Sequence, residues 1–328
     1  MYIITKHGTR KNGSFDNPEA LIFELSCEGG TIKYSLPDDL RTMEVHDRIR
    51  SLHDLIRKHI IPDDEMYFST MKCVPRFVSE VGINSDTLFS KEKFERILRP
   101  FQEDPTVASI INRYLYLEDV RVIISAVQNL LIGLENDFIT YYRTIATAKL
   151  FGTIDWGENK VWKYCGAESF SAANAVSSYF TKANSILDLM TKIAFEFESK
   201  HSDFLKYRKL SSSKILYGDR KHISLNETIS TIFEHDALIK TIESVRNEVI
   251  HNGTWEPNPT IYIRIKDKEI FERFMIFPDL TDGNYDKYVN RYHFFGKGLQ
   301  VNQKLPNIHR EFMLRIVNTV TKMEELYI

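Results

Sequence analysis

The chain has 328 residues, 43% of them hydrophobic and 27% charged, a globular composition with ample length to bury a core. A formal net charge of −2 argues against a global basic field, so a nucleic-acid partner would be held by a local basic cluster. Cys27, Cys73 and Cys165 lie far apart and form no CxxC pair, which argues against a disulfide framework or a cysteine zinc site.

The N-terminal residues carry no sustained apolar run and do not read as a signal peptide. ALIFELS and TIKYSL flank Gly29-Gly30 and are expected to pair as a β-hairpin, although Asn17-Pro18-Glu19 also reads as a helix start. From Pro37 onward the helical period dominates. Ile49, Leu52 and Ile56 recur at helical spacing and Pro62 stops the run. A loop-rich stretch is expected up to about residue 90, then helices near 91–99 and 106–152. The second is expected to break around Leu117–Asp119 or Gly133. Its most apolar part, 122–134, is interrupted by Gln128 and Asn129 and is too short to cross a bilayer, so no membrane segment is expected and the cytoplasm is the default location.

Residues 152–168, with Gly152, Gly157 and Gly166, read as a connector. A broad apolar stripe then predicts a helix over 170–198. Ser224-Leu225-Asn226-Glu227 is a capping-box pattern, and Asp236 opens a segment that runs to His251. Thr260–Ile265 and Ile270–Phe277 are β-rich and predict a second hairpin, and Asp282-Gly283-Asn284 marks a turn. A last helix is expected over 306–326. The fold class is therefore mainly α, a helical bundle with small appended β-hairpins. The expected division is an N-terminal region, 1–100, and a helical domain, 101–328, with the hairpin inserted at about 260–277.

The segment SVRNEVIHNGTW (244–255) is the candidate for chemistry, against the plainer reading of an Arg and a His favoured at a helix C-terminus. On a helix turning about 100° per residue, Leu238, Ile242, Val245 and Val249 form the buried face, with Ile239 and Ile250 widening it. Arg246 falls at its edge. Asn247 and His251, four apart, stack on the adjacent polar face, and Asn252-Gly253 ends the helix with a left-handed cap.

Arg246-Asn247-Glu248-Val249-Ile250-His251 resembles the R-polar-x-x-x-H motif of the HEPN superfamily, small helical bundles that include many metal-independent ribonucleases of toxin–antitoxin, abortive-infection and CRISPR systems. The resemblance covers roughly residues 105–253, including SYFTKANSILDLMTK (178–192). Two other Arg…His pairs, Arg41…His46 and Arg48…His53, lack the usual polar residue after Arg. The resemblance implies an endoribonuclease of phage defence or a toxin, with RNA as substrate, an antitoxin protein as a further partner, and products ending in a 2′,3′-cyclic phosphate and a 5′-hydroxyl. It also implies a homodimer that brings two motifs together, with Ile239, Arg246 and Ile250 near the two-fold axis.

The residue types suit that chemistry. RNA brings its own nucleophile, so a protein need only orient it, move protons and stabilise charge on phosphorus. His251 is the candidate acid or base, Arg246 a planar cation for phosphate oxygens, and Asn247 a hydrogen-bonding partner. No metal or other cofactor is required. A non-catalytic HEPN-like module for RNA, protein or dimerisation is the alternative.

Other constellations are weaker. His46, His53 and His59 suggest a metal site, but residues seven apart lie about 10 Å apart along one helix, and a solvated charged face explains them. Lys206, Arg208, Lys209, Lys214 and Arg220, interleaved with Tyr207 and Tyr217, are candidate RNA contacts. Asp188 is a candidate carboxylate facing the motif. Gly296-Lys297-Gly298 completes no phosphate loop.

Overall fold

In the computed structural model the described residues are 2–5, 8–11, 23–25, 32–34, 42–74, 77–148, 161–199, 201, 203–210, 229–267 and 269–327. The protein is mainly helical, with small antiparallel sheets. β1 (Tyr2–Thr5), β2 (Gly8–Lys11), β3 (Phe23–Leu25) and β4 (Ile32–Tyr34) form one sheet in the order β2-β1-β3-β4. The expected hairpin is its β3–β4 pair, with Phe23 opposite Tyr34. The competing helix start at Asn17-Pro18-Glu19 and the capping box at 224–227 lie outside the described residues.

α1 (Thr42–Ile60) ends before Pro62, as the sequence requires. The stretch read as loop instead holds α2 (Asp64–Cys73) and α3 (Phe77–Glu80). The Asp63 carboxylate caps α2, accepting from the Glu65 and Met66 N–H groups at 2.8 and 3.1 Å. Only Thr70 of α2 is buried, so no apolar period announced it. α4 (Lys91–Leu98) is capped by Ser90.

α5 (Pro105–Thr147) runs unbroken for 43 residues, against the expected breaks. Leu117 is fully buried. A Cβ on Gly133 would meet the Lys182 Cε at 2.9 Å, so this glycine admits a neighbouring side chain rather than ending a helix. The helix also outruns the apolar segment 122–134. It holds an 18-residue stretch of mean hydropathy 1.3, long and apolar enough by length and composition to cross a membrane. Its buried residues recur as Val120, Ile124, Val127, Leu131, Leu134 and Phe138, the helical period of a face packed on protein.

β5 (Val161–Tyr164) occupies part of the expected connector and α6 spans Ala167–Glu198. Then follow α7 (Ala237–Asn252), β6 (Ile261–Lys266), β7 (Glu269–Phe274), β8 (Leu280–Thr281), β9 (Asn284–Tyr285) and α8 (Val301–Tyr327). The chain groups into two units. The first takes Met1–Val45, Asn129–Leu187 and Ile229–Asn318, and the second His46–Gln128, Asp188–Thr228 and Thr319–Ile328.

In the first unit the predicted β6–β7 hairpin gains β5 as a third antiparallel strand. Ile261, Ile263 and Ile265 alternate inward along β6, and Asp267 takes the left-handed conformation at the turn (φ 54°). α8 starts at Val301, five residues before the expected start at Pro306. Pro306 lacks the N–H that would bond the Asn302 carbonyl. The buried Tyr142 hydroxyl donates to that carbonyl instead, at 2.9 Å. The Asn302 side chain is held by Tyr141 (2.6 Å) and by the Arg273 carbonyl (3.0 Å).

His309 of α8 is buried, stacked on Phe138 at 4.7 Å with Tyr179 Oη 3.2 Å from its Nδ1. Burial holds its pKa down at about 3. The unfolded chain therefore binds the extra proton between about pH 6.5 and 3. Stability should be intact above about pH 6.5 and fall by up to about 1.4 kcal/mol per pH unit below it. Urea unfolding at stepped pH checks this, and His309→Leu should flatten the slope.

In the second unit Val78, Ile111, Tyr114 and Leu115 make a small core with Tyr67, Phe94 and Phe101 packed around it. Glu324 ties α8 to α1 by accepting from Arg48 (3.0 Å) and Ser51 (2.8 Å). Buried Glu196 accepts from the Tyr116 hydroxyl and lies 2.8 Å from His201 Nε2. Burial pushes the Tyr116 hydroxyl well above the ordinary tyrosine range. Among the described residues, His46, His53 and His59 do not gather with other ligand side chains into a metal-binding group.

Candidate functional site at the end of α7

The motif lies on α7, in the first unit, and both ends of that helix are fixed. The Asp236 carboxylate caps the start, accepting from Leu238 N–H (3.1 Å) and Ile239 N–H (3.2 Å). The buried Arg315 guanidinium donates to Asp236 at 2.6 Å, to Glu234 at 3.2 Å and to the Thr231 carbonyl at 3.0 Å. The β8–β9 hairpin turns through Asp282 (φ 49°) and Gly283 (φ 81°), the Asp-Gly turn of a tight hairpin, and Gly283 lies against the first turn of α7. A Cβ on Gly283 would stand 2.3 Å from the Ala237 carbonyl oxygen and 2.9 Å from the Thr241 nitrogen, both backbone atoms.

Gly283→Ala combines a left-handed strain with that clash, so a loss of about 2–3 kcal/mol is expected in urea unfolding. A variant within about 0.5 kcal/mol of wild type would show that the hairpin does not bear on α7.

At the other end Gly253 is left-handed (φ 86°) and its N–H bonds the Val249 carbonyl at 3.1 Å. Two residues on, Trp255 is fully buried, and its Nε1 donates to the Ala173 carbonyl of α6 at 3.1 Å.

The buried face of α7 is rotated from the expected one. Ile239, Ile242 and Val245 are buried together with Thr241 and Glu248, while Leu238 and Val249 are only half-buried and Ile250 is 51% exposed. Glu248 accounts for the rotation. Its carboxylate accepts from Asn252 at 3.0 Å and lies 3.5 Å from His293 Nε2, partners supplied by the last residue of the helix and by the chain after β9.

The rotation leaves Arg246, Asn247 and His251 on the open side. Asn247 and His251 are exposed and Arg246 is half-buried. Arg246 Nη1 donates to Asn247 Oδ1 at 2.9 Å, so the pair acts as one unit. Among the described residues Arg246 makes no ion pair, and His251 makes no hydrogen bond. The site thus offers an unneutralised planar cation and a solvent-reached imidazole, with no carboxylate held against either.

The other candidates belong to the second unit. Lys206, Arg208 and Lys209 are exposed in the segment 203–210, where the Tyr207 hydroxyl donates to Asp119. Asp188 is half-buried and engaged by neighbours. Lys214, Tyr217 and Arg220 lie outside the described residues. Lys297 is occupied structurally, donating to the Leu280 carbonyl, Thr281 and Asp286 at 2.8–3.0 Å.

His293 was not legible as a site residue. It sits in the irregular chain between β9 and α8, where no period points to it.

Fold and site together define a mainly helical protein that presents an Arg-Asn pair and a histidine at an open helix end. No protein-family model, curated protein or solved structure matches the chain.

Proposed function

We propose that this protein is a HEPN-like, metal-independent endoribonuclease that cleaves RNA through its own 2′-hydroxyl, acting as a toxin or in phage defence. The observation that carries this reading is the open presentation of Arg246, Asn247 and His251 at a helix end fixed on both sides. His251 moves the proton of the attacking hydroxyl or of the leaving oxygen. Arg246, held by Asn247, meets the charge that builds on the phosphate oxygens. General acid–base cleavage uses two proton-handling groups, and among the described residues His251 is the imidazole on the motif's open side. A homodimer with two motifs facing one strand supplies the second, and exposed Ile250 beside the motif suits such a contact. A cytoplasmic location and an antitoxin partner belong to the same proposal.

The test is incubation of the purified full chain with cellular RNA in EDTA, followed by end-group analysis and sedimentation of the protein. Cyclic-phosphate and 5′-hydroxyl ends from a dimer are expected. Intact RNA, or a strict monomer at working concentrations, would move the weight to a non-catalytic binding module.

A further inference from the structure

A pocket of about 440 Å³ opens in the first unit, between the chain that follows the α7 cap, the ends of β6 and β7, and the turn before His293. Its volume is that of a small-molecule site. The pocket starts within five residues of His251, at Glu256, so its near wall lies at most about 18 Å from the motif along the chain.

The lining has three parts. Met275, Ile276 and Phe295 give an apolar part. Glu256, Asn258 and His293 give hydrogen-bonding groups at its side. His293 Nε2 is buried with no hydrogen-bond partner among the described residues, although Glu248 stands 3.5 Å away. One Glu256 oxygen accepts the Asn258 N–H at 2.8 Å, which leaves the other unclaimed among the described residues. Burial raises the Glu256 carboxyl above the usual carboxylate range.

The third part is the Arg291 guanidinium. Arg291 is exposed and makes no ion pair among the described residues. Outside the lining itself, Lys287 Nζ stands 5.4 Å from the Tyr292 ring and Lys163 Nζ 5.6 Å from the Tyr262 ring, and both rings line the pocket. Arg291 is presented by a two-residue turn whose Val289 holds φ 52°, a costly conformation for a β-branched residue. Strain of this kind is retained where a side chain must be aimed.

A lining that joins apolar side chains, hydrogen-bonding groups and an arginine with no ion pair among the described residues suits a planar hydrogen-bonding body with an anionic group. We infer that this pocket binds one nucleotide, its base against Met275, Ile276 and Phe295, its edge read by Glu256, Asn258 and His293, and its phosphate held by Arg291. The site does not rest on the ribonuclease reading, since it uses none of the motif residues. The nucleotide comes either from free mononucleotide or from a unit of an RNA strand.

The experiment is isothermal titration calorimetry of the full chain with each of the four ribonucleoside 5′-monophosphates, with inorganic phosphate, and with uncleavable 2′-O-methyl tetranucleotides. At least one monophosphate should bind saturably, about tenfold or more tighter than phosphate alone. Arg291→Ala should weaken it by about tenfold or more, and Asn258→Ala should reduce the preference among the bases. Both side chains are exposed, so these variants keep the fold. Tighter binding of the tetranucleotide assigns the site to an RNA strand, and equal binding assigns it to free nucleotide. No binding of any nucleotide at millimolar concentration, or affinities that neither variant changes, would overturn the inference. Binding is read without cleavage, so this outcome and failure of the ribonuclease assay are distinguishable.

Discussion

His251→Ala should lower RNA cleavage by about 10²–10⁴-fold, the contribution of a positioned acid–base group, while the folded state stays as it is. The imidazole is exposed and bonds nothing among the described residues. Its removal costs the helix only the favourable end charge, a few tenths of a kcal/mol at most on the order of surface effects. The helix stop is set by Gly253, which remains. Thermal unfolding of the variant should therefore overlay that of wild type. Arg246→Ala should lose activity to a comparable degree, and Arg246→Lys should not rescue it, because a lysine ammonium lacks the planar fork. The double variant should fall little below either single one if the groups act on one transition state. Cleavage by His251→Ala within a few-fold of wild type would remove His251 from the chemistry.

Trp255→Ala should be the most damaging single change to the fold. The indole is fully buried, 5.5 Å from the Phe277 ring, and Phe277 in turn lies 6.2 Å from Phe180 of α6. Truncation leaves a large cavity, costing about 3–5 kcal/mol, and also leaves the Ala173 carbonyl without the Nε1 donor. That is a large part of the 5–15 kcal/mol or so that holds a domain together. The loss should fall locally as well. Trp255 follows the Gly253 cap, so amide exchange should quicken first in the last turn of α7 and in the chain to Asn258. Trp255→Phe, which keeps a ring but loses the donor, should cost roughly half as much and keep the variant soluble enough to measure. If urea unfolding moved by less than about 1 kcal/mol, the indole would not be the anchor described.

Much of the fold was legible because the apolar period repeats over long stretches. The helices around 49–56 and 170–198 stand where periodicity put them, and the last helix covers 306–326 but begins earlier, at Val301. The β3–β4 and β6–β7 hairpins stand where turn residues separate β-rich runs. The misses have local reasons. α2 buries one residue, so its sequence shows no stripe. Gly133 was read as a break, yet it makes room for Lys182, and space of that kind is set by another element. Pro306 was read as a start, yet Tyr142, 164 positions away in sequence, supplies the bond that proline cannot.

The candidate site divides in the same way. Arg246, Asn247 and His251 fall on neighbouring positions of one helix face because spacing alone places them together, and Gly253 ends that helix because glycine accepts the left-handed cap without strain. Those facts belong to the sequence. Which side of α7 is buried was decided elsewhere. Glu248 goes inside because His293, 45 positions away and without a periodic signal, meets it there. Arg315, Gly283 and Trp255 fix the helix through residues that are distant in the chain and adjacent in space. The nucleotide pocket is the extreme case. Its lining residues come from separate segments between Glu256 and Phe295, and only packing brings them to one cavity. Local spacing determines what a single helix presents to solvent. Burial and charge pairing between distant segments determine which face that is and what surrounds it.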